Sequence, residues 1–107
     1  MLIVRTFRIV TAMALWVTSA PARAATIEIV MQNLVITPAG VQAKVGDTIE
    51  WVNKDIVAHT ATTQQGGDFD VMPPANKSGS FVLTKAGSFP YYCRFHPNMK
   101  ETLVVAP

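Results

Sequence analysis

The chain has 107 residues, with nine Lys+Arg against seven Asp+Glu and a formal charge of +2, too small an excess for the basic stripe of a nucleic-acid binder. Half of its residues are hydrophobic and one is cysteine, so it can build a single modest core but no intramolecular disulfide.

Residues 1–24 read as a secretory signal peptide. Arg5 and Arg8 stand in an opening stretch without acids, residues 9–19 form an apolar run interrupted only by Thr11 and Thr18, and Ala22-Arg23-Ala24 is an A-x-A cleavage site. The run is well short of the roughly 20 residues that span a bilayer, so no stable membrane insertion is expected once the signal is cleaved. Removing it takes away Arg5, Arg8 and Arg23 and leaves six Lys+Arg against seven Asp+Glu, a net charge of −1 for residues 25–107. Twin arginines are absent, and no cysteine near the cleavage site invites a lipid anchor. The expected product is a monomer of the periplasm, where an unpaired thiol is a liability unless it is buried or coordinated.

From Ala25 the pattern is short and strand-like. Residues 26–31 alternate, with Ile27 and Ile29 opposite Glu28. Residues 34–37 continue that strand or form another, and Pro38-Ala39-Gly40 closes it. Residues 41–45 alternate before a turn at Gly46-Asp47, and residues 48–53 place Ile49 and Trp51 inward. After the polar turn Lys54-Asp55, residues 57–62 are β-prone, residues 64–70 with Gly66-Gly67 read as a loop, and Met72-Pro73-Pro74 cannot continue a central strand. Phe81 and Leu83 share a face, as do Phe89, Tyr91 and Cys93, and residues 102–105 form a closing apolar strand. No long 3.6-residue period occurs outside the signal. The prediction is all-β, with seven to eight short strands packed as a Greek-key sandwich over residues 25–107.

The chemistry concentrates in Cys93-Arg94-Phe95-His96-Pro97-Asn98-Met99, a Cys-x-x-His-x-x-Met run that holds the only cysteine and one of two histidines. A thiolate, an imidazole and a thioether suit copper passing between Cu(I) and Cu(II). If His59, the other histidine, folds back onto this loop from a neighbouring strand, then His59, Cys93, His96 and Met99 complete the ligand set of a blue-copper site. Zinc is the rival metal, but a thioether serves it poorly, and its structural sites usually use four Cys or His. There is no third histidine for a second, substrate-binding copper and no evident Ser-His-Asp or paired-carboxylate pattern, so an enzyme is not expected.

These residues resemble the cupredoxins, most closely the amicyanin-like branch. The resemblance rests on Gly46-Asp47-Thr48-Ile49-Glu50-Trp51-Val52-Asn53, the separated His59, and Gly87-x-x-x-Tyr91-Tyr92-Cys93-x-x-His96-Pro97-x-Met99. It implies a type 1 copper held by His59, Cys93 and His96 with Met99 as a weak axial ligand. It also implies single-electron shuttling between redox proteins, such as an amine dehydrogenase and a c-type cytochrome. Copper storage or delivery is the alternative, and a metal-free binding module a third. Relatives often have Pro where this chain has Phe95 and Asn where it has Thr60. The edge of His96, rimmed by Phe95, Pro97, Met72 and Pro73, is the expected electron port. A Phe95 N–H aimed at the Cys93 sulfur would raise the reduction potential, and Thr60 would supply another backbone donor.

Overall fold

The computed structural model describes residues 2–16 and 23–107. Residues 2–16 form neither helix nor strand, and Leu2, Phe7 and Trp16 are exposed. The end of the expected apolar run and Ala22 of the expected cleavage site lie outside the described residues. Among the described residues no helix is long and apolar enough to cross a membrane.

The described residues form nine strands: β1 (Thr26–Gln32), β2 (Val35–Thr37), β3 (Gln42–Lys44), β4 (Thr48–Asn53), β5 (Ala61–Thr63), β6 (Asp70–Val71), β7 (Ser78–Val82), β8 (Gly87–Tyr92) and β9 (Lys100–Ala106). They divide into a four-stranded sheet ordered β2-β1-β4-β7 and a five-stranded sheet ordered β3-β9-β8-β5-β6. The expected all-β sandwich is therefore present. The strand beyond the expected seven to eight is β6, a two-residue element at the end of the stretch read as a loop. It exists because Ala61 and Thr62 of β5 pair with Val71 and Asp70.

Alternation in the sequence sets which side chains meet between the sheets. β4 lies parallel to β1, with Ile29 opposite Trp51, and antiparallel to β7, with Ile49 opposite Phe81. Ile29, Ile49, Trp51 and Leu103 are each 0% exposed, and burying each of the three aliphatic side chains contributes about 1.5–3 kcal/mol relative to leaving it in water. The long β8–β9 pair, from Gly87↔Val105 to Tyr92↔Lys100, carries the chain to the end of the sandwich where Cys93 emerges. Asn33 and Leu34 both have positive φ in the β1–β2 turn, a conformation uncommon for leucine. Their N–H groups are turned toward the same end of the molecule, where Asp55 accepts both.

Candidate metal centre

Cys93 directly follows β8, and its loop is tied back on itself. The Met99 N–H donates to the His96 carbonyl at 2.8 Å, the His96 N–H to the Cys93 carbonyl at 3.2 Å, and the Cys93 N–H to the Met99 carbonyl at 3.0 Å. Two residues on either side of His96 are enough for these closures, and they leave Cys93 and Met99 buried with His96 half-buried between them. His59 comes from the β4–β5 connection, two residues before β5, and not from within a strand as expected. Its N–H donates to the Pro73 carbonyl at 3.3 Å, outside any strand ladder.

The donor atoms of His59, Cys93 and His96 lie within 4.8 Å of one another. His59 is fully buried, and the two imidazoles meet edge to face with centroids 5.1 Å apart. Cys93 Sγ stands 3.7 Å from His59 Nδ1 and 3.8 Å from His96 Nδ1. A first-row ion with metal–sulfur and metal–nitrogen distances of about 2.3 and 2.05 Å, joined at a trigonal angle, would separate those atoms by about 3.8 Å. The donor set and its spacing therefore fit one type 1 copper.

The His59 tautomer follows from its neighbour. His59 Nε2 lies 2.7 Å from Asp55 Oδ2, and an ionised carboxylate only accepts, so Nε2 carries the proton and Nδ1 turns its lone pair toward the cysteine. The same hydrogen bond, followed by one from the Asn33 N–H, holds the Asp55 carboxyl below its ordinary range. Asn53, almost wholly buried, fixes the segment between them. Its Nδ2 donates to the carbonyls of Val57 at 2.7 Å and Pro73 at 3.1 Å, and its Oδ1 accepts the Asp55 N–H at 2.9 Å.

A second set of bonds joins the two ligand segments. The Thr60 N–H donates to Cys93 Sγ at 3.3 Å, and Thr60 Oγ1 accepts the Arg94 N–H at 2.8 Å. Thr60 Oγ1 also meets Thr62 Oγ1 at 2.9 Å, while Thr62 Oγ1 lies 2.7 Å from Asp70 Oδ1. Asp70 in turn pairs with the Arg94 guanidinium at 3.3 Å. Phe95 N–H forms no hydrogen bond to Cys93 Sγ among the described residues, so the backbone donor to the sulfur comes from Thr60 on the His59 segment and not from Phe95 on the cysteine loop. Pro73 does not lie on the expected rim. It is fully buried beneath the site, whereas Phe95 and Met72 are each 50% exposed. Asp55, Asn53 and Asp70 were not singled out in the sequence as supports for the site. The one available signal was an acid four residues before a candidate ligand histidine.

Fold and site together define a β-sandwich domain with a single type 1 copper site, and the chain belongs to the cupredoxin-like domain family, which it matches over residues 6–105. Within that family it lies on the amicyanin branch. It is 34% identical over 67 residues to amicyanin of Paracoccus denitrificans, covering 58% of this chain and 51% of that one. To amicyanin of Paracoccus versutus it is 28% identical over 78 residues, covering 65% and 56% respectively. The chain thus spans about half the length of these two relatives. It is also 31% identical over 90 residues to the methylamine utilization protein MauL of Methylorubrum extorquens, covering 80% and 78%. Among solved structures, a reduced amicyanin variant with proline replaced by phenylalanine superposes with a TM-score of 0.66 at 28% identity, covering 75% of this chain and 81% of that one.

Proposed function

We propose that residues 25–107 form an exported type 1 copper protein that shuttles single electrons, with His59, Cys93, His96 and Met99 as its metal ligands. The observation that carries this reading is the convergence of one thiol and two imidazole Nδ1 atoms at spacings suited to a single ion. Bound copper would supply one-electron chemistry by alternating between Cu(II) and Cu(I). Cys93 provides the thiolate, and the Thr60 N–H drains electron density from it, which favours the reduced ion. Burial of His59 and the closed loop around Met99 keep water from the inner side. His96, the more exposed imidazole, is the port, and Phe95, Met72 and Pro97 give it a largely apolar rim.

The signal peptide of residues 1–24 and the periplasmic location belong to the same proposal. So do redox partners of the kind a methylamine-utilising pathway needs, an amine dehydrogenase and a c-type cytochrome. The decisive experiment adds one equivalent of Cu(II) to the purified 25–107 chain and records optical and EPR spectra. An intense blue thiolate-to-Cu(II) band that bleaches on reduction is expected, and a colourless or ordinary tetragonal spectrum overturns the reading. Rapid transfer of Cu(I) to an apo-protein acceptor, with slow electron exchange, would instead mark storage or delivery.

A further inference from the structure

Asp47 is a carboxylate in an unusual position at the end of the sandwich where β1 begins. It is only 6% exposed, yet among the described residues it forms no ion pair with a side chain. Its Oδ2 accepts the Lys44 N–H at 2.9 Å and its Oδ1 accepts the Ala25 N–H at 2.8 Å. Its backbone is equally fixed, donating to the Lys44 carbonyl at 3.0 Å and accepting the Leu83 N–H at 2.8 Å. Two neutral amides, with the charge of Lys44 acting only through space, are modest compensation for a carboxylate this little exposed. The hydrogen bonds, that from Ala25 foremost, hold this carboxyl below its ordinary range and so keep it ionised.

The nitrogen facing Oδ1 belongs to the residue at which the expected mature chain starts. The Ala25 carbonyl already accepts the Thr48 N–H at 2.9 Å, which extends the β1–β4 ladder by one residue and holds Ala25 in place. We propose that Asp47 is the docking site for the α-ammonium group created at Ala25 by processing, an ion pair that the unprocessed chain lacks. Hydrolysis of the Ala24–Ala25 bond by an export peptidase adds water across it. The hydroxyl goes to the Ala24 carbonyl, which leaves as a carboxylate, and the released Ala25 nitrogen becomes a cation at neutral pH. A single neutral donor 2.8 Å from Asp47 is thereby converted into a charged one without moving the backbone. The consequence is directional: the fold gains stability only after cleavage, which leaves the precursor easier to keep unfolded for export.

This inference rests on the export reading of residues 1–24, and the experiment separates the two. The full chain is expressed in a bacterium with a periplasm, and the exported product is sequenced from its N-terminus. Ala25 is expected; a chain retained unprocessed inside the cell overturns the export reading and the proposal together, whereas an exported product with a different first residue overturns the docking at Ala25 alone. Separately, chains beginning at Ala25 are prepared with a free and an acetylated α-amine, each with Asp47 and with Asp47→Asn, and unfolded in urea. Acetylation keeps the N–H and removes only the charge. Because Ala25 itself is exposed to screening solvent, the free amine is expected to raise the folding equilibrium constant about two- to fivefold over the acetylated form, and Asp47→Asn is expected to abolish that difference. Equal stability of the free and acetylated chains, or a difference that survives in Asp47→Asn, overturns the capture while leaving export intact. Should Asp47→Asn fail to fold, the α-amine of the otherwise unaltered chain is expected to react with an acylating reagent several-fold more slowly when native than in denaturant. Equal rates would refute the docking.

Discussion

Replacing Thr60 with valine removes one oxygen from the junction of the two ligand segments and leaves the side-chain shape almost unchanged. That oxygen is fully buried and accepts the Arg94 N–H at 2.8 Å. Asp70 can only accept, so it takes the Thr62 hydroxyl proton across their 2.7 Å contact; along the 2.9 Å Thr60–Thr62 contact the Thr60 hydroxyl is then the donor. Valine therefore orphans one donor, the Arg94 N–H, because Thr62 keeps Asp70 as its acceptor. An unsatisfied buried donor costs about 1–3 kcal/mol, and the exposed edge of Arg94 places this case in the lower half, about 1–2 kcal/mol. The assay is urea unfolding of the metal-free 25–107 chain. With a slope of about 1 kcal/mol per molar for so small a domain, the midpoint should fall by roughly 1–2 M. Thr60→Ser, which keeps the hydroxyl, should lose much less. A valine variant within about 0.5 kcal/mol of the parent, or a serine variant as weak as valine, would refute the idea that this hydroxyl ties the cysteine loop to the His59 segment.

Asp55→Asn should weaken Cu(II) binding about 10- to 100-fold, as loss of a carboxylate behind a ligating imidazole generally does; competition with a chelator of known affinity measures it, and unchanged affinity contradicts the role given to the 2.7 Å contact with His59. Burial pushes the Tyr91 phenol up to about 12, against about 10 in an unfolded chain. Because the native state favours the proton, the stability this group contributes is intact below about pH 10 and is lost as the pH rises from there through about 12; a phenolate absorbance titration in which Tyr91→Phe removes a component near pH 10 would disprove it. Gly79→Ala should destabilise the fold by about 1–3 kcal/mol, since a Cβ there would meet Val71 Cγ1 at 2.7 Å, and thermal unfolding of the variant tests this.

Strands whose two faces differ were readable from alternation alone. Residues 48–53 form a strand over their whole predicted length because every second side chain is buried, Ile49 and Trp51 among them. The Cys-x-x-His-x-x-Met loop was readable because its closure is local, through bonds between residues three and six apart. Residues 57–62 are β-prone, a composition that points His59 to a strand. The preceding connection nevertheless stays irregular, because Asn53 captures the carbonyls that a ladder would have used. Composition points Pro73 to the rim, although its carbonyl is needed inside by both Asn53 and His59. Tertiary partners of this kind leave no periodic trace in a sequence. Asp55 illustrates the same limit: a Lys-Asp pair after a strand is ordinary turn chemistry until the fold brings Asn33, Leu34 and His59 around the carboxylate.

The two ligand segments are held by different kinds of bond, and the difference bears on how an electron carrier would work. His59 is fixed from behind, by a carboxylate on Nε2 and a carbonyl on its N–H, so its ring cannot turn without breaking a charge-assisted bond. Cys93 is fixed from both sides, by its own loop through Met99 and by the opposite segment through the Thr60 N–H. His96 has none of these anchors beyond its backbone and lies nearest solvent. Motion at the site should therefore concentrate on His96, the residue proposed as the port. Retaining the His59 and Cys93 donors in one arrangement would keep the rearrangement between the oxidation states of a bound copper small. The exposed Arg94–Asp70 pair lies outside this frame. Its ionic contribution is worth at most about 1 kcal/mol, whereas the Thr60 hydroxyl beneath it carries the connection between the two segments.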